Sequence, residues 1–278
     1  MLKLGFIDYY LDEFHANNYP EWIKSISSGE IEVKYAYAKI DSPKGGLTTD
    51  QWCEKYGIER VYSIEELVEK SDILNVLSPD NPEMHEELCE IPLKSGKRTY
   101  IDKTFADTKE IAERIFAVAE KYNTPCFSSS ALRFAEEYQS IDKATLMNVT
   151  SIGPGPLDVY SIHQIEPLIA LMGANVKRLQ YIGTEKWPAV VIEWEDGRRA
   201  TFSHHGWECP FTMVTDDESG KTNVVEIKSE YFVSFIHEMV DFFLTGRSKV
   251  PHQDTIAVMA VREAAIKASL KPGEWFDI

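Results

Sequence analysis

The sequence predicts an α/β protein in which an N-terminal, doubly wound parallel sheet is followed by an α+β domain with a mostly antiparallel open sheet. Up to about residue 130, short apolar, β-prone runs alternate with helical patterns. Beyond that point strand-like runs follow one another across short turns, and helical patterns return in 231–244 and 255–268. We therefore expect one domain over residues 1–130 and a second over 131–278, whose C-terminal helix can pack back on the first.

The elements of the first domain follow from apolar periodicity and from helix-start signals. Strands are predicted at 2–7, 31–38, 73–77, 99–101 and 125–128, and helices at 14–27, 49–56, 63–70, 82–93 and from 107 onward. Gly57 ends the second helix, because glycine readily adopts the left-handed conformation found after a helix C-terminus. Ser63 with Glu66, and Asp107 with Glu110, have the spacing of capping boxes. The alternation of strands and helices favours a parallel sheet.

Runs with β propensity predict an antiparallel meander in the second domain. They are 176–182, 189–195, 199–205, 211–215 and 223–228. Asp196-Gly197 and Ser219-Gly220 are dipeptides typical of tight hairpin turns. Trp187, Trp194 and Trp207 have strand spacing and are expected on the apolar face of this sheet. If that face is open in a single chain, a homo-oligomer (dimer or tetramer) formed through the C-terminal sheet is expected.

The charge balance argues against nucleic acid as a partner. The 278 residues carry 29 Lys and Arg against 45 Asp and Glu, a net charge of −16 with neutral histidines. No cluster of basic residues offsets this surface, which would repel a phosphate backbone. A small-molecule substrate is the expected partner.

Cysteine spacing and hydropathy further limit the class of protein to which this chain can belong. The cysteines at 53, 89, 126 and 209 form no C-x-x-C motif, so neither a zinc ribbon nor a thioredoxin-type site is predicted. The sequence has no uncharged apolar stretch of about 18 residues, and its first apolar run is too short for a signal peptide. We expect no membrane association and a cytoplasmic location.

The segment most suggestive of chemistry is 95–105, SGKRTYIDKTF. It places Lys103, next to Asp102, at the carboxyl end of a predicted strand, and ligands of open α/β sheets bind at this edge. A lysine held there can donate a proton to a substrate oxygen or polarise it. The alternative is an ordinary Lys–Asp pair on the surface.

Several segments, in this order and spacing, resemble the glucose–fructose oxidoreductase and inositol dehydrogenase family (Gfo/Idh/MocA) over nearly the whole chain. The matching segments are 72–85, 95–104, 130–134, 163–173 and 242–273. The resemblance implies a Rossmann-type NAD(P)-binding domain, followed by a substrate and oligomerisation domain whose open sheet often forms a dimer contact. Lys103 corresponds to the lysine of the family's E-K-P signature. His163, in the segment HQIE, corresponds to the family's catalytic histidine.

The resemblance also implies which side chains meet substrate and cofactor. Hydride transfer needs a base for the substrate hydroxyl and a cation for the alkoxide, and these roles suit His163 and Lys103. Arg133, Asp158 and Glu166 are the candidate substrate-binding residues. The candidate cofactor-binding residues are Asp8, Tyr9, Tyr10, Lys39, Ser78, Pro79, His85 and Asp102.

Four places depart from the family pattern. In the E-K-P signature, Asp102 stands in place of the glutamate and Thr104 in place of the proline. The fingerprint glycines that let a dinucleotide pyrophosphate approach a helix N-terminus are replaced in the first turn, GFIDYYLDEFH, by acids and tyrosines. Asp8, Asp12 and Glu13 would repel the phosphates by their negative charge, and the tyrosine side chains would crowd the same space. After the second strand, either Lys39, which would suit the 2′-phosphate of NADP, or Asp41, which would suit the ribose of NAD, lies at the ribose position. Val159 stands where the family has a second catalytic acid, and Asp158 is one position away.

Two functions therefore compete at the level of sequence. In the first, the chain is an NAD(P)-dependent oxidoreductase that transfers a hydride between nicotinamide and a sugar, cyclitol or related polyol. In the second, it keeps the fold without ordinary dinucleotide binding and works as a catalytically silent ligand-binding or assembly protein. A metal site built on His163, Glu166 and one of the adjacent His204 and His205 has suitable ligands but no recognised spacing, so no resident metal is predicted.

Overall fold

The computed structural model describes residues 1–43 and 45–278, which divide into two compact units. Unit 1 comprises Met1–Ser129 and Phe235–His252, and unit 2 comprises Ser130–Ser234 and Gln253–Ile278. The chain therefore returns to each unit after leaving it. The sequence-based division into residues 1–130 and 131–278 remains a prediction about domains.

Unit 1 contains a parallel sheet with helices between its strands. Over the described residues its strands are β1 (Leu2–Asp8), β2 (Ile31–Ala38), β3 (Glu59–Arg60), β4 (Ile73–Val76), β5 (Thr99–Ile101) and β6 (Cys126–Phe127), in the order β3-β2-β1-β4-β5-β6. The pairings among them are parallel. The predicted doubly wound parallel sheet is confirmed. Strand β3 was not predicted, because two residues are too few to show a periodic pattern.

Most helices of unit 1 begin at a residue whose side chain caps the helix, whereas the helix His85–Lys94 has no side-chain cap in the described structure. These helices are α1 (Phe14–Ile26), α2 (Thr49–Tyr56), α3 (Ile64–Lys70), α4 (His85–Lys94) and α5 (Lys109–Lys121). A complete capping box forms at α2, where Thr48 and Gln51 cap each other. Ser63 caps α3 as predicted. At α5 the prediction was wrong by one residue, since Thr108 rather than Asp107 is the cap; both residue types are good caps, so the sequence alone does not choose between them.

Gly5 lies within β1, where α3 packs against the strand. A Cβ atom at this position would lie 2.4 Å from Ser71 Oγ and 2.5 Å from Leu67 Cδ2. We expect Gly5→Ala to lower the free energy of unfolding by about 1–3 kcal/mol through overpacking. Gly206→Ala is the control, because its Cβ would meet only the end of the flexible Glu208 side chain, at 3.2 Å. Urea unfolding measures both variants, and equal stabilities would contradict this packing argument.

Unit 2 is built on a mixed sheet. Over the described residues its strands are β7 (Leu146–Pro154), β8 (Val176–Tyr181), β9 (Ala189–Trp194), β10 (Arg199–His205), β11 (Thr212–Asp217), β12 (Thr222–Glu226) and β13 (Trp275–Asp277), in the order β12-β11-β7-β10-β9-β8-β13. Strand β7 pairs parallel to β10, and the other pairings are antiparallel. The mostly antiparallel sheet is confirmed. The simple meander is wrong, because β7 lies between β10 and β11 and its Asn, Ser, Gly and Pro residues gave no strand signal.

The remaining helices are α6 (Glu136–Gln139), α7 (Leu157–Met172), α8 (Tyr231–Thr245) and α9 (His252–Ala268). Helix α7 packs on β7 and β10 within unit 2. Helices α8 and α9 each pass from one unit to the other within their first turn. None of the helices in the described part of the chain combines the length and the apolar character that a membrane crossing requires.

The tryptophans of unit 2 do not share one face of the sheet. Trp194 of β9 is buried, and its indole N–H donates to the Gly173 carbonyl at 2.7 Å. Trp187 and Trp207 lie in loops and are 50% and 64% exposed. The prediction that all three build the apolar face is therefore wrong for two of them, because the chain has turned out of β8 and β10 before it reaches them.

Candidate functional site

Asp102 forms the centre of the carboxyl edge of the unit 1 sheet, where β1, β4 and β5 end. Its carboxylate is fully buried. Oδ1 accepts hydrogen bonds from the Tyr100 hydroxyl and from the Lys103 backbone N–H, both at 2.9 Å, and Oδ2 pairs with His15 Nδ1. Burial alone would raise the pKa of Asp102, but the adjacent His15 and these hydrogen bonds hold it below its usual range. Asp102 is thus an ionised carboxylate that links α1 to the end of β5.

The amino end of α1, which faces the pyrophosphate in Rossmann-type domains, is occupied by a side chain of this protein. Glu13 directly precedes α1 and is buried. Its carboxylate accepts hydrogen bonds from the backbone N–H of His15, at 2.6 Å, and from that of Ala16. The N–H groups at a helix N-terminus are the groups that bind a phosphate. In this structure two of them, those of His15 and Ala16, are already bound to Glu13.

Side chains also fill the rest of the first turn, residues 8–13 between β1 and α1. Asp8 Oδ1 accepts from the Tyr10 backbone N–H at 3.3 Å, and among the described residues Oδ2 has no hydrogen-bond partner. Tyr10 is buried, and its hydroxyl donates to Asp80 at 3.0 Å. Tyr9 meets Tyr10 edge-on, with ring centroids 6.1 Å apart. The first turn is thus packed by its own side chains where a fingerprint sequence has glycines.

Burial weakens the argument that the acids of the first turn repel a phosphate by their negative charge. Burial, together with the neighbouring carboxyl groups of Glu13 and Asp102, raises the pKa of Asp8 well above its usual value and favours the uncharged form. Burial also raises the pKa of Glu13, to about 7. The first turn therefore disfavours a pyrophosphate in the ordinary pose chiefly because Glu13 occupies N–H donors at the start of α1, and less through the repulsion expected from the sequence.

The raised pKa of Glu13 predicts a stability that falls as the pH rises. The usual pKa of this carboxyl group is 4.5 and its folded value is about 7; between these values the folded protein binds more protons than the unfolded chain, so ionisation favours unfolding. From about pH 5 to pH 8 the free energy of unfolding should fall by up to about 3 kcal/mol on this account. Glu13→Gln, which cannot ionise, should reduce that slope. Urea unfolding across this pH range is the measurement, and an unchanged slope in the variant would contradict the assignment.

Lys103 lies at this same edge, beside the loop that follows β4. Its ammonium is 3.4 Å from the Pro79 carbonyl, and its backbone N–H is held by Asp102. Ser78 adopts a φ of 80°, a left-handed conformation that residues other than glycine rarely adopt. Its hydroxyl donates to the Asn81 carbonyl at 3.0 Å. The structure thus brings Ser78, Pro79, Asp102 and Lys103 together within unit 1.

His85 links the two loops of this edge. It is fully buried at the start of α4, with Nδ1 3.0 Å from the Phe105 carbonyl and Nε2 2.6 Å from the Leu77 carbonyl. Burial lowers its pKa. These contacts join the chain after β4 to the chain after β5, so His85 positions the loops that carry Ser78 and Lys103. A contact of His85 with a cofactor remains a prediction.

Both candidates for the ribose position bind other groups of unit 1. Lys39 Nζ is 2.6 Å from each carboxylate oxygen of Glu87, on the protein surface. Asp41 accepts from the Thr49 backbone N–H at 2.7 Å and from the Thr49 hydroxyl at 2.9 Å, and these hydrogen bonds lower its pKa. Asp41 therefore holds the start of α2. Neither arrangement selects between NAD and NADP.

In unit 2, His163 lies on a partly exposed face of α7 among aromatic rings. Its Nδ1 is 2.8 Å from Ser130 Oγ, and its ring centroid is 5.1 Å from that of Tyr160 and 6.1 Å from that of Phe211. Val159, one turn earlier in α7, places an apolar side chain where the family pattern has an acid. A histidine oriented by a hydroxyl group can exchange a proton or a hydrogen bond with a ligand.

Arg133 and Glu166 meet in a largely buried ion-pair network of unit 2. Arg133 Nη1 is 3.1 Å from Glu166 Oε1, and Nη2 is 2.5 Å from Asp254 Oδ2. Burial disfavours the guanidinium cation, but the two carboxylates hold the pKa of Arg133 above its usual value. In this network the buried charges of Arg133 and Glu166 are paired within the protein, so no substrate is needed to balance them. Their substrate-binding role remains a prediction. Asp254 was not a candidate from the sequence.

The other polar residues predicted for unit 2 lie near the amino end of α7. Asp158 is exposed, and it lines a pocket together with His204 and His205. His204 is buried and His205 is exposed, as expected for neighbours on a strand. Among the described residues, no group of three or more His, Cys, Asp or Glu side chains is arranged to hold a metal ion.

Comparisons with known proteins agree with this architecture. No protein-family model matches the sequence, and no curated protein matches it significantly. Among solved structures, a probable dehydrogenase from Thermotoga maritima matches with a TM-score of 0.81 and 15% identity, over 99% of this chain and 98% of its own. The chain has the fold of the Gfo/Idh/MocA-type dehydrogenases.

Two further matches have ligands bound. The scyllo-inositol dehydrogenase from Lactobacillus casei, solved with NAD(H) and scyllo-inositol, has a TM-score of 0.79 and 14% identity, over 99% of this chain and 98% of its own. GenD2 from gentamicin A biosynthesis, solved in complex with NAD, has a TM-score of 0.77 and 14% identity, over 100% of this chain and 97% of its own. At such identities the likeness establishes the fold alone.

The dinucleotide that this fold implies does not fit the first turn of unit 1. To bind the N-terminus of α1, a pyrophosphate would have to displace Glu13 from the backbone N–H groups of His15 and Ala16. It would also have to approach a turn in which Tyr10 is buried and no glycine opens the backbone. The residues present therefore disagree with NAD or NADP in the pose typical of Rossmann-type domains.

Two residues that build this site were not recognised in that role from the sequence. Glu13 was considered only as a negative charge, and His15 was not a candidate. An acid directly before a helical pattern is a signal for a side chain that caps the helix, so the role of Glu13 was open to prediction. The pairing of His15 with Asp102 spans 87 positions and depends on the tertiary fold.

Proposed function

We propose that this protein binds small hydroxylated molecules, uses the dehydrogenase fold as its scaffold, and does not bind NAD or NADP in the ordinary pose. The observation that carries the proposal is the contact of Glu13 with the backbone N–H groups of His15 and Ala16. It removes the donors on which a pyrophosphate depends. The protein is on this account a ligand-binding member of the fold that is silent as a dehydrogenase.

Polar groups at both predicted sites suit a hydroxylated ligand. Lys103 in unit 1 can donate a hydrogen bond to a ligand oxygen, and His163 in unit 2, oriented by Ser130, can donate or accept one. The net charge of −16 disfavours anionic ligands, whereas an uncharged polyol is not repelled. The scyllo-inositol bound by the dehydrogenase from Lactobacillus casei supports this ligand class by analogy of fold.

A second candidate is the NAD(P)-dependent oxidoreductase, which transfers a hydride between nicotinamide and a sugar, cyclitol or related polyol. The lysine after β5 and the histidine of α7 favour it, as do the structures of the same fold that hold NAD. This candidate requires Glu13 to leave the N-terminus of α1 when the dinucleotide binds. Lys103 and His163 would then act on the substrate hydroxyl, with NAD or NADP as the nucleotide.

Under either candidate we propose a cytoplasmic homo-oligomer, a dimer or tetramer, that associates through the sheet of unit 2. Helix α7 covers one face of that sheet. Side chains such as Val191, Thr201 and Val214 alternate with buried neighbours and are partly exposed on its strands. A sheet face of this composition suits burial against a second copy.

A turnover assay of the purified full chain separates the two candidates. NAD⁺ and NADP⁺ are each incubated with a panel of inositols, hexoses and alditols, and the reduced nicotinamide is followed by its absorbance. We expect no turnover, together with calorimetric binding of at least one panel member in the absence of nucleotide. Reduction of nucleotide that is abolished by Lys103→Ala would establish the oxidoreductase in place of the silent binder.

A further inference from the structure

We infer that unit 2 contains its own ligand pocket, separate from the α7 face that carries His163, and that this pocket binds the ring of an uncharged sugar or cyclitol. The inference rests on the proposed function in taking the protein to be a binder of hydroxylated molecules. It adds the place of binding and the chemistry that recognises the ligand.

The pocket lies at the amino end of α7. Its other walls are the loop between β8 and β9, the end of β10 and the end of α9, all within unit 2. Its volume is about 900 Å³, which falls in the range of small-molecule sites in proteins. Among the lining residues that the structure describes, His163 is not included.

Two exposed tryptophans give this pocket an apolar surface. Trp207 contacts Tyr160 edge-on, with ring centroids 4.8 Å apart, and the ring of Trp187 lies 6.2 Å from that of His205. Both indoles are half or more exposed, although large aromatic side chains usually lose most of their surface to the core. The C–H face of a sugar ring is apolar and its rim carries hydroxyl groups, so such a ring matches an aromatic wall that has polar groups around it.

The loop that presents Trp187 has a defined shape. The Thr184 N–H donates to the Trp187 carbonyl at 3.0 Å, and the Trp187 N–H donates to Thr184 Oγ1 at 3.1 Å. At Gly183, a Cβ atom would lie 2.2 Å from the Ala189 nitrogen and 2.5 Å from the Trp187 oxygen, so the loop closes in this way only with glycine. The backbone at Trp187 is therefore fixed at the pocket before any ligand arrives, which lowers the entropy cost of ordering this loop on binding.

His204 contributes a buried polar atom that has no partner in the described residues. The side chain belongs to the pocket wall and is 1% exposed. Nδ1 lies 3.3 Å from the Pro154 carbonyl, whereas Nε2 makes no hydrogen bond. When Nδ1 carries the proton, Nε2 is a hydrogen-bond acceptor. Since unsatisfied buried polar atoms are rare in folded proteins, we assign Nε2 as the acceptor of a hydrogen bond from a ligand hydroxyl.

The charged lining residues do not favour an anionic ligand. The lining includes two acids, Asp158 and Glu185, and one lysine, Lys186. These side chains therefore supply no excess of positive charge for a phosphate or a carboxylate. The Lys186 ammonium lies over the Trp187 ring, 5.3 Å from its centroid. Asp158, a substrate-binding candidate from the sequence, can accept a hydrogen bond from a ring hydroxyl at the rim of this pocket.

Titration of the full chain with methyl β-D-glucopyranoside and with myo-inositol tests the inference, by saturation-transfer NMR and by calorimetry. We expect saturable binding of at least one probe, weakened about tenfold or more by Trp187→Ala and by Trp207→Ala. His204→Asn keeps an N–H donor close to the position of Nδ1, for the Pro154 carbonyl, and removes Nε2. It should weaken probe binding. Tyr62→Ala, which removes an exposed aromatic ring from unit 1, should bind like the wild type.

Two results would overturn the inference. The first is the absence of saturable binding of both probes, and the second is binding that survives both tryptophan substitutions. If the first result is accompanied by a change from dimer to monomer in the tryptophan variants, seen by light scattering, a second copy of the chain covers the pocket. NADH binding by the same variants is measured separately. NADH binding would contradict the proposed function, whereas the inference about the pocket depends only on whether probe binding requires Trp187 and Trp207.

Discussion

Asp102→Asn is expected to lower the free energy of unfolding by about 3–5 kcal/mol, the usual cost of breaking a buried ion pair by removing one partner. The Asp102 carboxylate is fully buried and pairs with His15. It also accepts hydrogen bonds from the Tyr100 hydroxyl and the Lys103 backbone N–H. The amide keeps the shape of the side chain but loses its charge and turns one acceptor into a donor, so at least one of these partners faces a donor. Urea unfolding at neutral pH measures the loss.

The acid limb of the stability curve gives an independent check on Asp102. Its pKa lies below the usual 3.8, so its stabilising contribution is complete above that usual value and is lost as the pH falls through the folded value. Asp102→Asn should lack this part of the acid dependence. Asp241→Asn, on an exposed position of α8, is the control and should change stability by less than about 0.5 kcal/mol. Equal effects of the two substitutions would show that the pair with His15 does not stabilise the fold.

Arg133→Met is the second substitution with a large expected effect. It should lower the free energy of unfolding by about 3–5 kcal/mol. It removes the guanidinium that Glu166 and Asp254 share in a largely buried network. The two carboxylates then lie close together in a poorly solvated place, which raises their pKa values in the variant. The variant should therefore regain part of its stability as the pH is lowered, because protonation removes the charges that the arginine had balanced.

A second substitution and a control make this expectation specific. Glu166→Gln placed in the Arg133→Met background should recover part of the lost stability, because it removes one of the two buried charges. Arg247→Met, at an exposed position, should have little effect. An Arg133→Met protein that is as stable as the wild type but binds ligand more weakly would contradict a structural role and would favour the substrate-binding role predicted from the sequence.

The sequence predicted the parts of the fold that repeat a local pattern. The alternation of apolar strands with capped helices predicted the parallel sheet of unit 1, because each strand and helix carries its own periodicity. The same pattern placed Lys103 and Asp102 at the carboxyl edge of the sheet, because residues that follow a parallel strand lie at its carboxyl end. Strand β7 was missed because its sequence has low β propensity: it contains several polar residues and ends in Gly153 and Pro154. The strand is stabilised instead by its two neighbours in the sheet.

The candidate site was predicted less completely, because its contacts join distant parts of the chain. Arg133 and Asp254 are 121 positions apart, and no periodicity connects them. The departure of the first turn from a dinucleotide fingerprint was visible in the sequence, but its physical consequence was not. The sequence suggested repulsion by three acids, whereas burial favours the uncharged form of Asp8 and places Glu13 on the helix N-terminus. Only the tertiary fold shows that the phosphate position is occupied.

Glu13→Ser would separate the role of Glu13 from the rest of the first turn. Serine is a good helix cap, so the variant keeps α1 capped while it removes the carboxylate that occupies the N–H groups. If Glu13 is the only obstacle, the variant should gain affinity for NADH. If Tyr10 and Asp8 also close the turn, as their burial indicates, the gain should be small.

Calorimetric titration of the wild-type full chain with NADH and with NADPH tests the central claim most directly, namely that Glu13 holds the place of the dinucleotide pyrophosphate. The account predicts no saturable binding of either nucleotide up to about 1 mM, the upper end of the range of KM values that enzymes usually have. A dissociation constant in the micromolar range for either nucleotide would contradict it, and the NAD(P)-dependent polyol oxidoreductase would then be the function to pursue.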